Sequence, residues 1–445
     1  MQWSRYNKLF KSNKHGWLLY NSASNSFLEI NDELYGEIVK IKENPDSYDV
    51  NQNLSLYFQL LANGVLVEEF ADETFRNILK LKRLQHNLDT KKLSLTIAPT
   101  RECNFNCIYC YEKERPSIFM TEETETRVIS FIKQFKDLKY IRLVWYGGEP
   151  LLSFDRICSL SNKINELKIP FNALLVTNGF LLNDEKIGKL TELNINAVQI
   201  TLDGLNEVHN TRRPLKNGNQ TFDIIIKNIE DLVQNWQGHL SIRVNLDQSN
   251  KHDYHLVHKE IFERLNSLPL KASFSVYPGI INDCNELHPD ASCLFNKEDE
   301  AKFTLDQFSN YGITDLRLFP KISYGCCDAA FRQGYVIGPE GELYKCWHDI
   351  GREDRIIGKL DNEDLGNLGI VANYMVAASY LNDQQCLDCF CFPICDGGCP
   401  NVRFNNYFDK AKTVEKSCYR FKNYVEDILE MYYTKKKEKK NELEL

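Results

Sequence analysis

The chain has 445 residues, of which 43% are hydrophobic and 26% are charged, and its formal net charge is -8 at pH 7. That length exceeds one ordinary hydrophobic core, so two or three domains are expected. The negative charge argues against nucleic acid as a partner, because phosphate binding needs local positive charge. The amino terminus lacks the apolar run of a signal peptide, and no stretch reaches the roughly 18–20 apolar residues of a membrane span. A cytoplasmic chain that binds no membrane is therefore expected.

Residues 1–90 are predicted to form a domain of short strands and helices. The segment WLLYNSASNSFLEI predicts a hairpin, and NDELYGEIVKIKEN predicts a helix with Asn31 as its N-cap. A second helix near 53–63 stops at Gly64, before a closing strand VLVEEF. This order suggests a winged-helix-like α+β domain. Winged helices often bind DNA, but the segment has no basic recognition helix, which favours docking of a peptide.

From residue 91 to residue 278 the pattern changes to alternating strands and helices. The strand candidates, each ending at a turn signal, are LSLTIA, IRLVWY, FNALLVTNG, AVQITLDG, LSIRVNLD and ASFSVYPG. Helices lie between them, such as TEETETRVISFIKQF with Thr121 as its N-cap. Repeating βα units predict an α/β fold with a parallel sheet, here a partial (β/α)6 TIM-like barrel. Chemistry in such folds gathers on the loops at the carboxyl ends of the strands.

Most of the fifteen cysteines fall in two groups, at 103–110 and 326–418. The number is odd and no secretion signal accompanies it, so metal or iron–sulfur binding is favoured over disulfides. Cys103, Cys107 and Cys110 follow the first barrel strand with the spacing C-x3-C-x2-C. An ordinary [4Fe–4S] cluster takes four thiolates, so three leave one iron open to a small molecule. A zinc site completed by a remote histidine is the alternative.

The three-cysteine loop resembles the cluster loop of radical S-adenosylmethionine (SAM) enzymes. The resemblance extends to YGGEP at 146–150, VTNG at 176–179 and ITLDGLNEVHNTRRP at 200–214, in this order and each at a strand end. It implies that the three cysteines hold a [4Fe–4S] cluster whose open iron binds the amino and carboxylate groups of SAM. The reduced cluster would cleave SAM to methionine and a 5′-deoxyadenosyl radical, which abstracts hydrogen from an unactivated carbon.

The same resemblance implies a set of residues around SAM. The expected cofactor-binding residues are Tyr109, Gly147, Gly148, Glu149, Asn178, Thr201 and Arg213. Tyr109 would pack on the adenine or, alternatively, only within its own loop. Glu149 would accept a hydrogen bond from the SAM ammonium. Thr201 and Arg213 would contact the SAM carboxylate, the arginine by a charge-assisted pairing.

Two further positions in the segment 200–214 are open to interpretation. Asp203 either belongs to the cofactor site or only forms the turn after its strand. Asn210 stands where the family usually has an aspartate, so a role for this side chain has weak support.

The second cysteine group resembles the seven-cysteine SPASM extension, which carries two auxiliary iron–sulfur clusters. Residues 321–430 are therefore expected to form a SPASM domain, between a bridging segment at 279–320 and a charged tail at 431–445. The resemblance assigns the first cluster to Cys327, Cys346 and Cys399. It assigns the second cluster to Cys386, Cys389, Cys395 and Cys418. With the SAM-binding cluster, three [4Fe–4S] clusters are implied.

The first auxiliary set is one ligand short of four. The vacancy is filled either by Cys326, adjacent to Cys327, or by a thiolate of the substrate. Neighbouring side chains on an extended backbone point apart, which counts against Cys326. Cys391 lies inside the spacing between two ligands of the second set and is expected to be a spare thiol.

SPASM enzymes mostly modify peptides or proteins, and the N-terminal domain resembles elements that bind a leader segment as an extra strand at a sheet edge. The predicted function is oxidation of a ribosomally made precursor peptide to form a thioether or carbon–carbon crosslink. An electron donor such as flavodoxin or ferredoxin is implied. His348 is the candidate catalytic base, and solvation at the surface is the other interpretation of this residue.

Two other functions are weighed against the peptide maturase. The first is an anaerobic sulfatase-maturating enzyme that makes formylglycine. In that family an aspartate directly follows the cysteine matching Cys346, whereas this chain reads Cys346-Trp347-His348-Asp349. The second is a non-catalytic electron carrier or metal-stabilised regulator, which would leave YGGEP and ITLDG without a role.

Overall fold

The computed structural model describes residues 1–110, 112, 116–281, 291–314, 320–325, 327–361, 366–408, 418 and 422–443. The chain groups into two compact units. The sheet unit comprises Asp89–Asn296 and Asp328–Met375, and the terminal unit comprises Met1–Leu88, Lys297–Cys327 and Val376–Leu445. Within the described ranges, no helix has the length and apolar character needed to cross a membrane.

Strands and helices occur throughout both units. The strands are β1 (Gln2–Trp3), β2 (Asn7–Ser12), β3 (Gly16–Asn21), β4 (Ser26–Ile30), β5 (Leu66–Val67), β6 (Lys92–Ile97), β7 (Tyr140–Trp145), β8 (Phe171–Thr177), β9 (Ile195–Leu202), β10 (His239–Leu246), β11 (Ser273–Ile280), β12 (Gly334–Ile337), β13 (Glu342–Tyr344) and β14 (Gly358–Lys359). The helices are α1 (Asp32–Glu43), α2 (Leu54–Ala62), α3 (Ala71–Asn87), α4 (Glu122–Lys133), α5 (Phe154–Glu166), α6 (Asp184–Lys189), α7 (Asn206–Arg212), α8 (Phe222–Asn235), α9 (Tyr254–Asn266), α10 (Lys297–Tyr311), α11 (Leu368–Ala372), α12 (Gln384–Leu387), α13 (Pro400–Phe408) and α14 (Val425–Leu443).

The sheet unit is built on a nine-stranded sheet in the order β11-β10-β9-β8-β7-β6-β12-β13-β14. Strands β6 to β11 lie side by side in chain order and pair in parallel. Among the described residues β6 and β11 do not pair with each other, so the sheet stays open. The predicted partial (β/α)6 barrel is thereby confirmed. The free side of β6 pairs instead with β12, an extension additional to the predicted elements.

The strands of this sheet have two different faces. In β8 and β10 buried residues alternate with half-buried ones, the pattern of strands with one face in the core and the other toward an accessible interior. Helix α8 buries Ile225, Ile226 and Ile229, the apolar face that its sequence predicts. Thr121 caps α4 as predicted, since its side chain accepts from Thr124 N.

A glycine turn after β7 brings two loops of the sheet unit unusually close. Glu149 N donates to the carbonyl oxygen of Glu102 at 2.8 Å. A Cβ on Gly147, whose φ is +112°, would lie 2.4 Å from the carbonyl oxygen of Thr100. A Cβ on Gly148 would lie 2.2 Å from that of Glu102. Only glycine fits at both positions, because each faces the main chain at the start of the cysteine loop.

The terminal unit contains the predicted N-terminal strands and helices. A three-stranded antiparallel sheet has the order β2-β3-β4, with the predicted hairpin formed by β3 and β4. Asn31 caps α1 as predicted. The predicted closing strand shortens to β5, which pairs with β1, and α3 is additional to the predicted elements.

Both faces of this small sheet are buried within the terminal unit. On one face Leu19 and Ile30 pack with residues of α1 and α2. On the other face Phe10, Leu18 and Tyr20 pack with Val425 and Leu429 of α14. The amino-terminal and carboxy-terminal parts of the chain therefore share one hydrophobic core.

Arg83 of α3 joins these two parts of the terminal unit by polar contacts. The residue is 1% exposed. Its guanidinium donates to the carbonyl oxygens of Phe392 at 2.8 Å, Cys395 at 2.9 Å and Ser323 at 3.0 Å. It also lies over the Phe392 ring, 4.5 Å from the ring centre. Burial lowers the pKa of Arg83, and these carbonyl groups compensate for the lost hydration.

Gly148→Ala should destabilise the protein, because the added methyl group collides with the Glu102 carbonyl. Overpacking of this kind costs about 1–3 kcal/mol. The matched control is Gly188→Ala, in α6, where an added Cβ meets nothing within 4 Å. Chemical denaturation followed by circular dichroism measures both free energies of unfolding. Equal values for the two variants would contradict the tight approach of the turn to the cysteine loop.

Candidate functional site

The three predicted cluster cysteines lie in the loop after β6 in the sheet unit. Cys103 is buried, and Cys107 and Cys110 are half-buried. The loop is anchored to the chain after α7, since Asn106 N donates to the carbonyl oxygen of Pro214 at 2.8 Å. The cysteines thus occupy a loop whose main chain is fixed on both sides, by this bond and by the glycine turn.

Glu149 is fully buried at the end of that glycine turn. Its Oε1 atom accepts from Thr177 Oγ1 at 2.6 Å and from Leu151 N at 3.0 Å, and its Oε2 atom accepts from Asn178 N at 2.8 Å. Burial raises the pKa of Glu149 despite these three donors. A carboxylate has about four acceptor positions, so one position on Oε2 is left for a further donor.

Asn178 links the turn after β8 to the cysteine loop. Its Nδ2 donates to Asn104 Oδ1 at 2.8 Å. The Nδ2 atom of Asn104 is buried and has no hydrogen-bond partner among the described residues. A buried donor without an acceptor is costly, which points to an acceptor that a bound group would supply.

Tyr109 lies at the centre of a buried polar network beside the cysteines. Its hydroxyl donates to Asp203 Oδ1 at 2.8 Å and accepts from Arg213 Nη1 at 2.6 Å and Asn245 Nδ2 at 2.9 Å. Burial opposes the charge of Arg213, but the thiol of Cys107 and the other groups around it raise its pKa well above the ordinary value. Within the part of the chain that is described, the Arg213 Nε atom has no partner. The structure therefore brings Tyr109 and Arg213 together.

Asp203 is held by a second arginine that sequence reasoning missed. Arg212 donates from Nε to Asp203 Oδ2 at 3.0 Å and from Nη2 to Asp247 Oδ2 at 2.8 Å. All three side chains are buried, so these are charge-assisted bonds in a low-dielectric setting. Of the two interpretations of Asp203, the geometry favours membership of the site. The tandem Arg212-Arg213 was the available signal in the sequence.

Thr201 and Asn210 occupy different settings. Thr201, near the end of β9, is 8% exposed and pairs in register with Arg243 of β10. The Oδ1 atom of Asn210 accepts from Thr221 N at 2.7 Å and from Phe222 N at 3.0 Å. Asn210 therefore caps the start of α8, which is a structural role.

His348 follows the buried Cys346 in the sheet unit. Burial and the nearby charge of Arg243 lower the pKa of His348 to about 4, so its ring is neutral at pH 7. Trp347, which lies between Cys346 and His348 in the sequence, stacks on Tyr146 with ring centres 5.0 Å apart and planes at 11°. Since Tyr146 begins the YGGEP turn, this contact holds the segment of Cys346 and His348 beside the glycine turn.

The second auxiliary set lies around one partly open cavity in the terminal unit. The cysteines that line it are Cys386, Cys389, Cys391, Cys395 and Cys418. A hydrogen bond from the Cys391 thiol lowers the pKa of Cys389 to about 6. Cys391 lines the cavity together with the four assigned ligands, so its role as a spare thiol stays a prediction.

The first auxiliary set is divided between the two units. Cys327 and Cys399 belong to the terminal unit and Cys346 belongs to the sheet unit. Cys326 lies outside the described residues. The assignment of this set stays a prediction.

Both cysteine sites offer thiolates, which are the usual ligands of iron–sulfur clusters. Among the described residues, no three His, Cys, Asp or Glu side chains are grouped closely enough to hold one ion. A four-iron cluster has a different requirement, because each iron takes its own thiolate and the sulfur atoms stand apart around the cube. The cavity of the terminal unit is lined by five cysteines that offer such thiolates.

Residues 97–259 match the family model described as the radical SAM superfamily. The radical SAM cyclopropyl synthase TigE of Paramaledivibacter caminithermalis is 22% identical, with 96% of this chain and 95% of that protein covered. The cysteine-type anaerobic sulfatase-maturating enzyme of Clostridium novyi is 25% identical, with 78% and 98% covered.

The fold is similar to that of a solved peptide complex. Streptococcus suis SuiB bound to precursor peptide SuiA has a TM-score of 0.51 and 16% identity, over 89% of this chain and 95% of SuiB. Residues 97–259 therefore form a radical SAM domain, and the chain is similar over most of its length to the radical SAM enzyme TigE.

Proposed function

We propose that this protein is a radical SAM/SPASM peptide maturase that abstracts hydrogen from a ribosomally made precursor peptide and oxidatively installs a thioether or carbon–carbon crosslink. One arrangement carries the proposal. A three-cysteine loop lies beside Glu149, which has one acceptor position left, and beside Arg213, whose Nε atom has no partner among the described residues. This arrangement suits a cluster completed by the amino and carboxylate groups of SAM.

The residues around the cysteine loop would bind and orient SAM. Cys103, Cys107 and Cys110 would hold a [4Fe–4S] cluster, which when bound and reduced supplies the electron that cleaves SAM to a 5′-deoxyadenosyl radical. Glu149 would accept from the SAM ammonium through Oε2. Arg213 would donate to the carboxylate, and its hydrogen bond to Tyr109 helps to orient the guanidinium.

The remaining predicted residues would shape the same site. Gly147 and Gly148 keep the main chain close to the cysteine loop, and Asn178 ties β8 to it. Thr201 lies near the end of β9, the next strand of the sheet. His348 is neutral and could accept a proton from the substrate, so it is the proposed base.

The auxiliary cysteines would hold two further [4Fe–4S] clusters. The support for the second is the cavity lined by Cys386, Cys389, Cys395 and Cys418. The first would use Cys327, Cys346 and Cys399, with Cys326 or a substrate thiolate as the fourth ligand. Flavodoxin or ferredoxin is the proposed electron donor, and the cytoplasm is the proposed location.

A precursor peptide would dock through its leader segment on the N-terminal strands and helices. Strand β4 is an edge of the three-stranded sheet, and among the described strands only β3 pairs with it. An added strand at such an edge gains main-chain hydrogen bonds. The SuiB structure, in which a precursor peptide is bound, supports this class of partner.

A sulfatase-maturating function is the alternative, and similarity to the Clostridium novyi enzyme supports it. Two observations favour the peptide maturase. Similarity to TigE covers 96% of this chain, against 78% for the sulfatase-maturating enzyme. In addition, Asp349 lies three residues after Cys346, is fully buried and accepts from Tyr374 Oη at 2.7 Å. It is therefore poorly placed to act as the base expected directly after that cysteine.

Anaerobically reconstituted protein reduced with dithionite should convert SAM to methionine and 5′-deoxyadenosine. Cys107→Ala should abolish this conversion, because it removes one of three cluster ligands. Cys158→Ala is the control, since this half-buried thiol of α5 lies outside both cysteine groups. Chromatography of 5′-deoxyadenosine gives the rates. A protein that holds iron and cleaves no SAM would refute the radical SAM assignment.

The reconstituted chain should hold about twelve iron and about twelve sulfide ions, from three four-iron clusters. Cys389→Ala should lower the iron content by about four, whereas Cys158→Ala should leave it unchanged. Colorimetric iron and sulfide analysis measures both. About four iron ions in the unsubstituted protein would show that the auxiliary clusters are absent.

Incubation with a precursor peptide, such as a short peptide encoded beside this gene, should give a product that has lost two hydrogen atoms per crosslink. Tandem mass spectrometry locates the joined residues. A cysteine or serine converted to an aldehyde, with no crosslink, would instead establish the sulfatase-maturating alternative.

A further inference from the structure

Arg403 of α13 reaches into the cysteine-lined cavity of the terminal unit. All three of its guanidinium nitrogens have partners. Nε donates to the carbonyl oxygen of Gly397 at 2.6 Å, and Nη1 lies 3.6 Å from Asp383 Oδ2. Nη2 donates to the sulfur of Cys386 at 3.1 Å. Because the other two nitrogens are anchored, the direction of the N–H···S bond is fixed.

The surroundings of the cavity are rich in positive charge and in hydrogen-bond donors. Lys422 lines the same cavity. The main-chain nitrogen of Gly397 donates to Cys395 Sγ at 3.3 Å. Arg83 donates to the carbonyl oxygen of Cys395, which brings a second guanidinium to the same loop. Asp383 and Asp396 offset part of this charge, and Asp383 also forms a hydrogen bond with Cys386.

We infer that Arg403 sets the reduction potential of the auxiliary cluster held by Cys386, Cys389, Cys395 and Cys418. This inference rests on the proposed function, which places a cluster there. Reduction adds one electron to a group already held by four anionic thiolates. A cationic donor on one thiolate stabilises the more negative, reduced form, and hydrogen bonds to the sulfurs are among the factors that set such potentials.

The consequence is a cluster that takes up an electron more readily than its cysteine ligands alone would dictate. Arg403 is a cationic side chain that donates a hydrogen bond to a cysteine sulfur of this cavity. Another arginine of this unit, Arg76, pairs with Asp388 and Glu73, and among the described residues it donates to no sulfur. Arg76 is therefore a matched control in the same unit.

The test is a redox titration of the reconstituted full chain, followed by electron paramagnetic resonance. The relevant signal is the component that disappears in Cys389→Ala. In Arg403→Met that component should become harder to reduce. At a fixed potential, the ratio of reduced to oxidised cluster should fall at least about tenfold. For a one-electron couple this is about 59 mV. Arg403→Lys should lie between Arg403→Met and the unsubstituted protein, and Arg76→Met should match the unsubstituted protein.

The outcomes separate this inference from the proposed function. A wild-type potential in Arg403→Met, with the iron content unchanged, would overturn the role of Arg403 and leave the cluster in place. If Arg403→Met loses iron, Arg403→Gln and Arg403→Lys are compared instead, and equal potentials in these two would overturn the role of its charge. If Cys389→Ala loses no iron and no signal, the auxiliary cluster itself is refuted.

Discussion

The close approach of two stretches of main chain is the constraint on which the sheet unit depends. The turn at Gly147 and Gly148 lies against the carbonyl groups of Thr100 and Glu102, where a Cβ atom would collide. This approach carries Glu149 into a buried position where three donors from β8 and its own turn reach it. The packing of the main chain thus positions the side chains of the site at the strand ends, independently of any contact with a cofactor.

The elements that sequence predicted well are those specified locally. Asn31 and Thr121 were identified as N-caps because a capping side chain and its target amide lie within three residues. The six parallel strands were likewise predicted, since each has its own apolar run and turn signal. What could not be predicted depends on distant partners. The pairing of β12 with β6 joins segments far apart in the chain.

The same distinction holds within the site. The cysteine spacing, the glycine turn and Glu149 lie in contiguous motifs, and Asp203 and Arg213 lie in one segment. The role of Arg212 depends on Asp247, a carboxylate beyond β10 that no local pattern connects to it. Tyr109 was expected to act through packing of its ring, whereas in the structure its hydroxyl also accepts a hydrogen bond from Asn245 of β10 in a buried network. The sequence analysis identified Tyr109 but not Arg212, and it could not state which strands would supply the partners of either side chain.

Arg83 bears on how proteins of this architecture can diversify. A recognition domain that a flexible linker joins to the rest of a protein could be exchanged between relatives as an independent unit. Here Arg83, on helix α3, donates hydrogen bonds to main-chain carbonyl groups of a cysteine-bearing loop more than 300 residues away in the chain. The amino-terminal region and that loop are consequently expected to co-vary in evolution. Grafting the first 88 residues onto another protein with a radical SAM domain would require transplanting the loop around Cys395 with them.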